Sequence, residues 1–317
     1  MLDRSVASVG VYTRDESLGQ NLMLTPLLCR LLRNGFIPSV VCPPRAMEFW
    51  KNPALRVSPI GTPDALPPGS PLLTTSKPAP SLSLTIPRCI QVVDEIQDVH
   101  SWKAIPGVTR TSRPVAPLVS DYLAHIYSRR AGYSRTSKYP ALWCPIDDTT
   151  DLQAKQILAQ LGVAPRSYVY LNISGRSNPT WCEVAPYIAL TECLLQRRTP
   201  IILNSGPSEV PLIPEFTKVF KGYPGRVAVM PVDLPVWVVG AVMRQSRLVI
   251  TKNSGIMQLA DAVHTRTLAF TVREAGPRYW LAPRTYITLL ETDNEPTSNT
   301  VAQVAKRLLD EPHPAAT

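Results

Sequence analysis

The stretch from residue 167 to 272 constrains the fold more than any other part of the chain. Apolar runs of strand length recur there: SYVYLNIS, TPIILNSG, RVAVMP, RLVITKNSG and TLAFTV. Runs such as VYL and LVI do not alternate polar with apolar residues, so both faces of each strand must be covered. Helix-spaced segments stand between them. One covers WCEVAPYIALTECLLQRR, with Pro186 in its first turns or kinking it; the others are LPVWVVGAVMRQS and IMQLADAVH, the last apolar at 256, 259, 260 and 263. Parallel neighbours need a crossover, so repeated strand, turn and helix predicts a parallel sheet wrapped by helices. Five such strands make a Rossmann-like domain.

The first half repeats the pattern less cleanly. Val6–Tyr12 is expected to be a strand, followed by the polar turn TRDESLG. LMLTPLLCRLLRNG is apolar at 24, 27, 28, 31 and 32, which is helical spacing, and Gly35 is placed to end the helix. IPSVVC is a second strand, RAMEFW a short helix, LRVSPIG, LLTT and CIQVVDEI strand candidates, and 116–132 a helix with a basic end. The pattern loosens over 133–150, and DLQAKQILAQLG opens the second half as a helix. The expected domains are 1–148 and 149–317, with the last helix, 299–311, free to pack on either. An α/β chain with two doubly wound Rossmann-like domains facing a central cleft is the GT-B architecture.

Lys and Arg number 33 against 24 acids, a net charge of +9. That balance suits an acidic partner: nucleic acid, a phosphorylated glycolipid, or the phosphates of a nucleotide. An ordinary basic surface would look the same. No apolar run approaches the ~18–20 residues of a membrane span. The N-terminus lacks an apolar leader, so no signal peptide is expected. The six cysteines (29, 42, 89, 144, 182, 193) include no CxxC pair and read as reduced thiols, which points to the cytoplasm. The four histidines (100, 125, 264, 313) lack metal-ligand spacing, and Asp147-Asp148 reads as helix-start charge, so no metal and no bound cofactor are expected. The phosphate loop of P-loop enzymes, the GxSxG elbow and RNA-binding signatures are absent from the sequence.

The strongest local signal is LVITKNSGIMQLADAV. A strand, a polar turn with Gly255, and an immediate helix aim free backbone N–H groups and the helix dipole at whatever lies ahead, which suits a phosphate or diphosphate. Ser254 would add a hydroxyl and Lys252 a charge. Any α/β protein has several such turns, so the spacing by itself is generic.

Here the sequence resembles a family. Residues 247–283 are similar to the C-terminal signature of the bacterial heptosyltransferases, glycosyltransferase family 9: a strand, Asp-Thr-Gly, a His-Leu-Ala-x-Ala helix, the next strand, and a loop with Pro and Trp-x-x-Pro. This chain has Asn253-Ser254-Gly255-Ile256-Met257-Gln258-Leu259-Ala260-Asp261-Ala262, then TLAFT, then Pro277-Arg278-Tyr279-Trp280-Leu281-Ala282-Pro283. SLGQNLMLTPLLCRLLRNG resembles the family's opening segment, with Gly19, Leu22, Pro26 and Leu31 in register, and YLNISGRSNPTWCEVAPYIAL resembles the start of its second domain. The chain departs from the family at four functional positions. The catalytic Asp is Gln20, which cannot take a proton near neutral pH; the Asp before Ser/Thr-Gly is Asn253; the His is Gln258; and a Lys falls on Pro179.

The resemblance implies a glycosyltransferase that moves a sugar from a nucleotide-sugar donor to a hydroxyl of an acidic acceptor, with inversion and without a metal. A phosphorylated glycolipid core is the acceptor the family implies; modified DNA, with a hydroxymethylated base on a polyanion, is the one that fits the net charge of +9. The nucleotide sugar is a co-substrate, not a resident cofactor. Asp15 and Glu16, in the loop before Gln20, are candidate replacement bases. Lys252, Asn253, Ser254, Gly255 and Ile256 would hold the diphosphate, with Arg176 as a guanidinium clamp. Glu209 and Glu274 follow strand ends, where a ribose or sugar hydroxyl would be their partner. Each of these carboxylates also reads as a solvated loop charge. The substituted positions support a second reading, a degenerate GT-B protein kept for binding or assembly. A third reading, a sugar-nucleotide epimerase, lacks an identifiable acid–base set.

Overall fold

A computed structural model describes residues 8–13, 18–33, 35–50, 55–60, 62, 72–74, 89–91, 144, 146–174, 183–272 and 286–311; for some of these, mostly in the first half, it describes the backbone alone. The chain divides into two compact units, the first ending at Trp143 and the second beginning at Cys144. The helix expected over 116–132 lies outside the described residues.

In the first unit, β1 (Ser8–Tyr12), β2 (Ile37–Cys42), β3 (Arg56–Pro59), β4 (Leu72–Thr74) and β5 (Cys89–Gln91) form one sheet in the order β3-β2-β1-β4-β5, all parallel. Helix α1 (Leu18–Arg33) crosses from β1 to β2. Its apolar spacing buries Leu24, Leu28 and Leu31. Gly35, at φ +80°, ends it as expected, donating to Leu32 O at 3.0 Å while Phe36 N reaches Leu31 O at 3.0 Å. RAMEFW forms only a 3₁₀ turn over Pro44–Ala46, followed by turns to Trp50, in place of the expected short helix.

The second unit holds β6 (Val169–Asn172), β7 (Ile201–Asn204), β8 (Val227–Val229), β9 (Leu248–Lys252), β10 (Thr267–Val272) and β11 (Ile287–Thr292). Their order is β11-β10-β9-β6-β7-β8, again all parallel. Counted from β6 as the first strand, this is the 3-2-1-4-5-6 order of dinucleotide-binding folds. The strand β11 is additional to the expected set. It lies at the sheet edge, where Ile287, Thr288, Leu289 and Leu290 are only half-buried and the sequence ITLLET lacks the continuous apolar run of its neighbours.

Among the described residues this unit also holds the helices α2 (Asp148–Gln160), α3 (Ala185–Leu195), α4 (Ile213–Val219), α5 (Val236–Arg244), α6 (Gly255–Ala262) and α7 (Ser298–Asp310). Helix α2 starts three residues before the sequence pattern suggests, because Asp147 caps it by accepting from Thr150 N at 2.7 Å. Pro186 sits in the first turn of α3, where its missing N–H costs nothing. Alternate strand residues face opposite layers. Val169, Leu171, Leu203, Ile250 and Phe270 pack with Leu190 and Leu194 of α3 and Val301, Ala305 and Leu308 of α7 in one core. Tyr168 faces the other way, and its hydroxyl donates to Val242 O of α5. The last helix therefore belongs to the second unit, and Ser298 Oγ ties it to Pro186 O at 2.8 Å. Among the described residues no helix is long and apolar enough to cross a membrane.

Candidate functional site

Strand order in the second sheet reverses between β6 and β9. Chains leaving adjacent strands at such a point diverge to opposite faces, and the crevice left at the carboxyl ends is where open α/β sheets take ligands. The strand ends there are polar although the strands are apolar. Asn172 ends β6, Asn204 ends β7, and Thr251 and Lys252 end β9; all four are buried. Asn172 pairs with Asn204 in register, and Leu171 with Ile250, which brings Asn172 beside Thr251.

These groups form one network. Asn172 Oδ1 accepts from Asn204 Nδ2 at 2.9 Å, from Ser174 Oγ at 2.7 Å and from Ser174 N at 3.3 Å. Asn172 Nδ2 donates to Thr251 Oγ1 at 3.0 Å and to Ser174 O at 3.3 Å. A backbone N–H only donates and a carbonyl only accepts, so Ser174 fixes which way round the amide lies. Thr251 Oγ1 lies 3.0 Å from Lys252 O and 3.3 Å from Ser254 Oγ.

From β9 the chain runs directly into α6. Ser254 is extended (φ −155°, ψ 175°) and the helix begins at Gly255. The Ser254 carbonyl accepts from Met257 N at 3.0 Å and Gln258 N at 3.4 Å, but its hydroxyl makes no capping bond to its own helix. Gly255 and Ile256 present first-turn N–H groups, which have no intrahelical acceptor, at the positive end of the helix. Asn253 N donates to Phe270 O at 3.1 Å, which pins the turn to β10. Lys252 and Gln258 are buried, at 1% and 3% exposure.

Glu209 lies after β7 and is 1% exposed, so it is not a solvated loop charge. Its N–H donates to Gly206 O at 3.0 Å, which folds the chain back on the strand end, and Ser208 Oγ donates to Glu209 Oε1 at 2.7 Å. A Cβ added to Gly206 would lie 2.8 Å from Glu209 Oε2 and 3.1 Å from Ser174 Cβ. The carboxylate thus fills the space over Gly206, beside the loop leaving β6. The Ser205 hydroxyl is also buried there and has no partner among the described residues.

The structure therefore brings Lys252, Asn253, Ser254, Gly255 and Ile256 to one β-to-α turn, and sets Glu209 at the end of β7. Arg176 and Glu274 lie outside the described residues, as do Asp15 and Glu16. Gln20 sits in the first turn of α1, with its side chain outside the described residues. Asn172, Ser174, Asn204 and Thr251 are additions to the sequence-derived set. Their signal was two apolar strands, VYLN and IILN, that both end on Asn. Burial holds the Cys42 thiol up at about 11 and pushes the Tyr168 and Tyr170 hydroxyls higher still, so none of these works as an acid or base near neutral pH. Among the described residues no group of three His, Cys, Asp or Glu side chains is placed to hold a metal ion.

By sequence the chain matches no family model and no curated protein. Solved structures do match it. A glycosyl transferase family 9 protein from Veillonella parvula DSM 2008 superimposes with a TM-score of 0.72 at 16% identity, covering 96% of this chain and 97% of that one. The fold is that of the heptosyltransferases. The E. coli ADP-heptose lps heptosyltransferase II aligns over 95% of this chain and 98% of its own, at 13% identity and a TM-score of 0.70. E. coli heptosyltransferase WaaC, solved with ADP-2-deoxy-2-fluoro heptose, gives 0.63 at 14% identity over 95% and 99% of the two chains. The chain is thus a GT-B protein of two parallel α/β units. At such identities the shared property is the apolar strand and helix pattern, which many sequences satisfy.

Proposed function

We propose that the chain is a glycosyltransferase that takes a sugar from a nucleoside diphosphate sugar and joins it to a hydroxyl of an acidic acceptor. The observation that carries this reading is the β9–α6 turn at the strand reversal, where the first-turn amide groups of α6 stand beside a Ser254 hydroxyl that makes no capping bond to the helix. The Gly255 and Ile256 N–H groups and the Ser254 hydroxyl would donate to the diphosphate, with Lys252 and Arg176 balancing its charge. Glu209 would accept from a ribose hydroxyl, and Glu274 from a hydroxyl of the sugar. Donors of this kind neutralise a leaving diphosphate without a metal.

The first unit would offer the acceptor. Asp15 or Glu16, between β1 and α1, takes the proton as the acceptor oxygen attacks the anomeric carbon. The bond to the phosphate oxygen breaks, and the diphosphate leaves with the bonding electrons. Attack from opposite the leaving group inverts that carbon. The names of the similar structures favour a phosphorylated glycolipid as acceptor, whereas the net charge of +9 would serve modified DNA equally well. Gln20, Asn253 and Gln258 favour a second reading, a nucleotide binder without transferase activity.

The test is a panel of labelled nucleotide sugars, scored for hydrolysis and for transfer to lipopolysaccharide core and hydroxymethylated DNA. Transfer supports the proposal. Asp15→Asn or Glu16→Gln should then lower kcat about a hundredfold with little change in donor affinity. Nucleotide binding without hydrolysis or transfer supports the binder. Absence of nucleotide binding rejects both.

A further inference from the structure

We propose that Thr251, oriented by Asn172, is a positioning residue that turns the Ser254 hydroxyl toward the donor's diphosphate; this rests on the nucleotide-sugar reading above. The argument follows the hydrogens. Ser174 N and Ser174 O fix the Asn172 amide, so its Nδ2 must donate to Thr251 Oγ1. Thr251 accepts there, and its own hydrogen is left to go forward, to Lys252 O or to Ser254 Oγ. When it goes to Ser254, the Ser254 oxygen is satisfied as an acceptor and its hydrogen points away from the network. Ser254 does not spend that hydrogen or its lone pairs on capping α6. Serine at this position ordinarily turns its oxygen back to the helix N–H groups. Here it is turned to Thr251 instead, which leaves the first-turn N–H groups and the hydroxyl together available to one anion.

Asn172 is suited to this task because it is neutral and buried. Its bonds also join the ends of β6, β7 and β9 across the strand reversal, so the turn is held from behind by the sheet itself. A buried amide with all its donors used is rigid, and rigidity before binding is what a phosphate donor needs.

The test is calorimetry with ADP, UDP, adenosine and uridine on the full chain. Ser254→Ala should weaken diphosphate binding at least about tenfold, the size of one hydrogen bond to a charged group. Thr251→Val, which keeps the shape and removes the hydroxyl, should weaken it about three- to tenfold, while Thr251→Ser restores it. In the double variant the Thr251 loss should disappear into the Ser254 loss, because it acts through that hydroxyl. Nucleoside affinity should not change in any of them. Thr251→Ala replaces the valine variant if the latter does not fold. Losses that multiply in the double variant, or wild-type binding by Thr251→Val, overturn the inference while leaving the nucleotide site intact. If the wild type binds neither ADP nor UDP, the underlying reading falls and the inference with it.

Discussion

Gly206→Ala probes the polar end of the second sheet with a single methyl group. Among the described residues the glycines with positive φ are Gly35, Gly162 and Gly225; Gly206 is not one of them, so alanine suits its backbone. The difficulty is space. The new Cβ would lie 2.8 Å from Glu209 Oε2 and 3.1 Å from Ser174 Cβ, where ordinary contacts are ~3.5 Å. The carboxylate must move by roughly half an ångström or more, and at 1% exposure it has no solvent to move into. Overpacking of this kind costs about 1–3 kcal/mol. At about 2–4 °C per kcal/mol, the melting temperature should fall by roughly 2–12 °C. If Glu209 accepts a ribose hydroxyl, its displacement should also weaken nucleotide binding about tenfold to a hundredfold, the size of a hydrogen bond to a charged group. Thermal unfolding and calorimetry with ADP and UDP measure the two effects. Gly240→Ala is the control: its Cβ, on α5, meets Leu259 Cδ1 and Val263 Cγ1 at the C-terminal end of α6 at 3.2 Å and Cys144 Sγ at 3.3 Å, away from the strand ends. The helix gains up to about 1 kcal/mol from losing a glycine, which offsets the tight contacts. Its nucleotide affinity should equal that of the wild type. A Gly206→Ala protein with unchanged stability would refute the packing argument, and one that is destabilised yet binds normally would remove Glu209 from the site.

Three further outcomes are expected. Gly255→Val should abolish diphosphate binding while the protein still unfolds cooperatively, since a branched side chain at the helix start covers the amide groups; retained affinity would move the site elsewhere. Arg266, 8% exposed, donates to Leu308 O and, at 2.7 Å, to Glu311 O, so Arg266→Ala should uncap α7 and cost about 2–3 kcal/mol, read as a lower denaturant midpoint. Thr150, donating to the Asp147 carboxylate, holds its pKa below the usual value, so its cap stabilises α2 above the unfolded pKa of about 4 and is lost as pH falls through the lower, folded value. Asp147→Asn, which still accepts the bond, should therefore lose less stability than the wild type between about pH 4 and pH 2 in acid titrations followed by circular dichroism.

Much of this protein was legible in the sequence because the second unit's central strands are buried on both faces. Burial on both sides demands continuous apolar runs, and VYL, IIL and LVI show them directly. Gly35 was legible because it holds a left-handed position that few other residues tolerate, so its identity reports its geometry; Pro186 left two readings open, a first turn or a kink, and the structure has the first turn. The β9–α6 turn was legible as a strand running straight into a helix at Gly255. The edge strand β11 was not, because half-buried residues need no apolar run. The Asn172 network was not either. Its members are separated by 79 residues between Asn172 and Thr251 and by 32 between Asn172 and Asn204. No local pattern links them, since only the pairing of β6 with β7 and β9 brings their side chains together. Glu209 shows the same division. Its sequence position gave a carboxylate after a strand, equally suited to water or to a site. Burial was decided by the turn that folds it over Gly206, a glycine whose missing side chain leaves the space that the carboxylate fills.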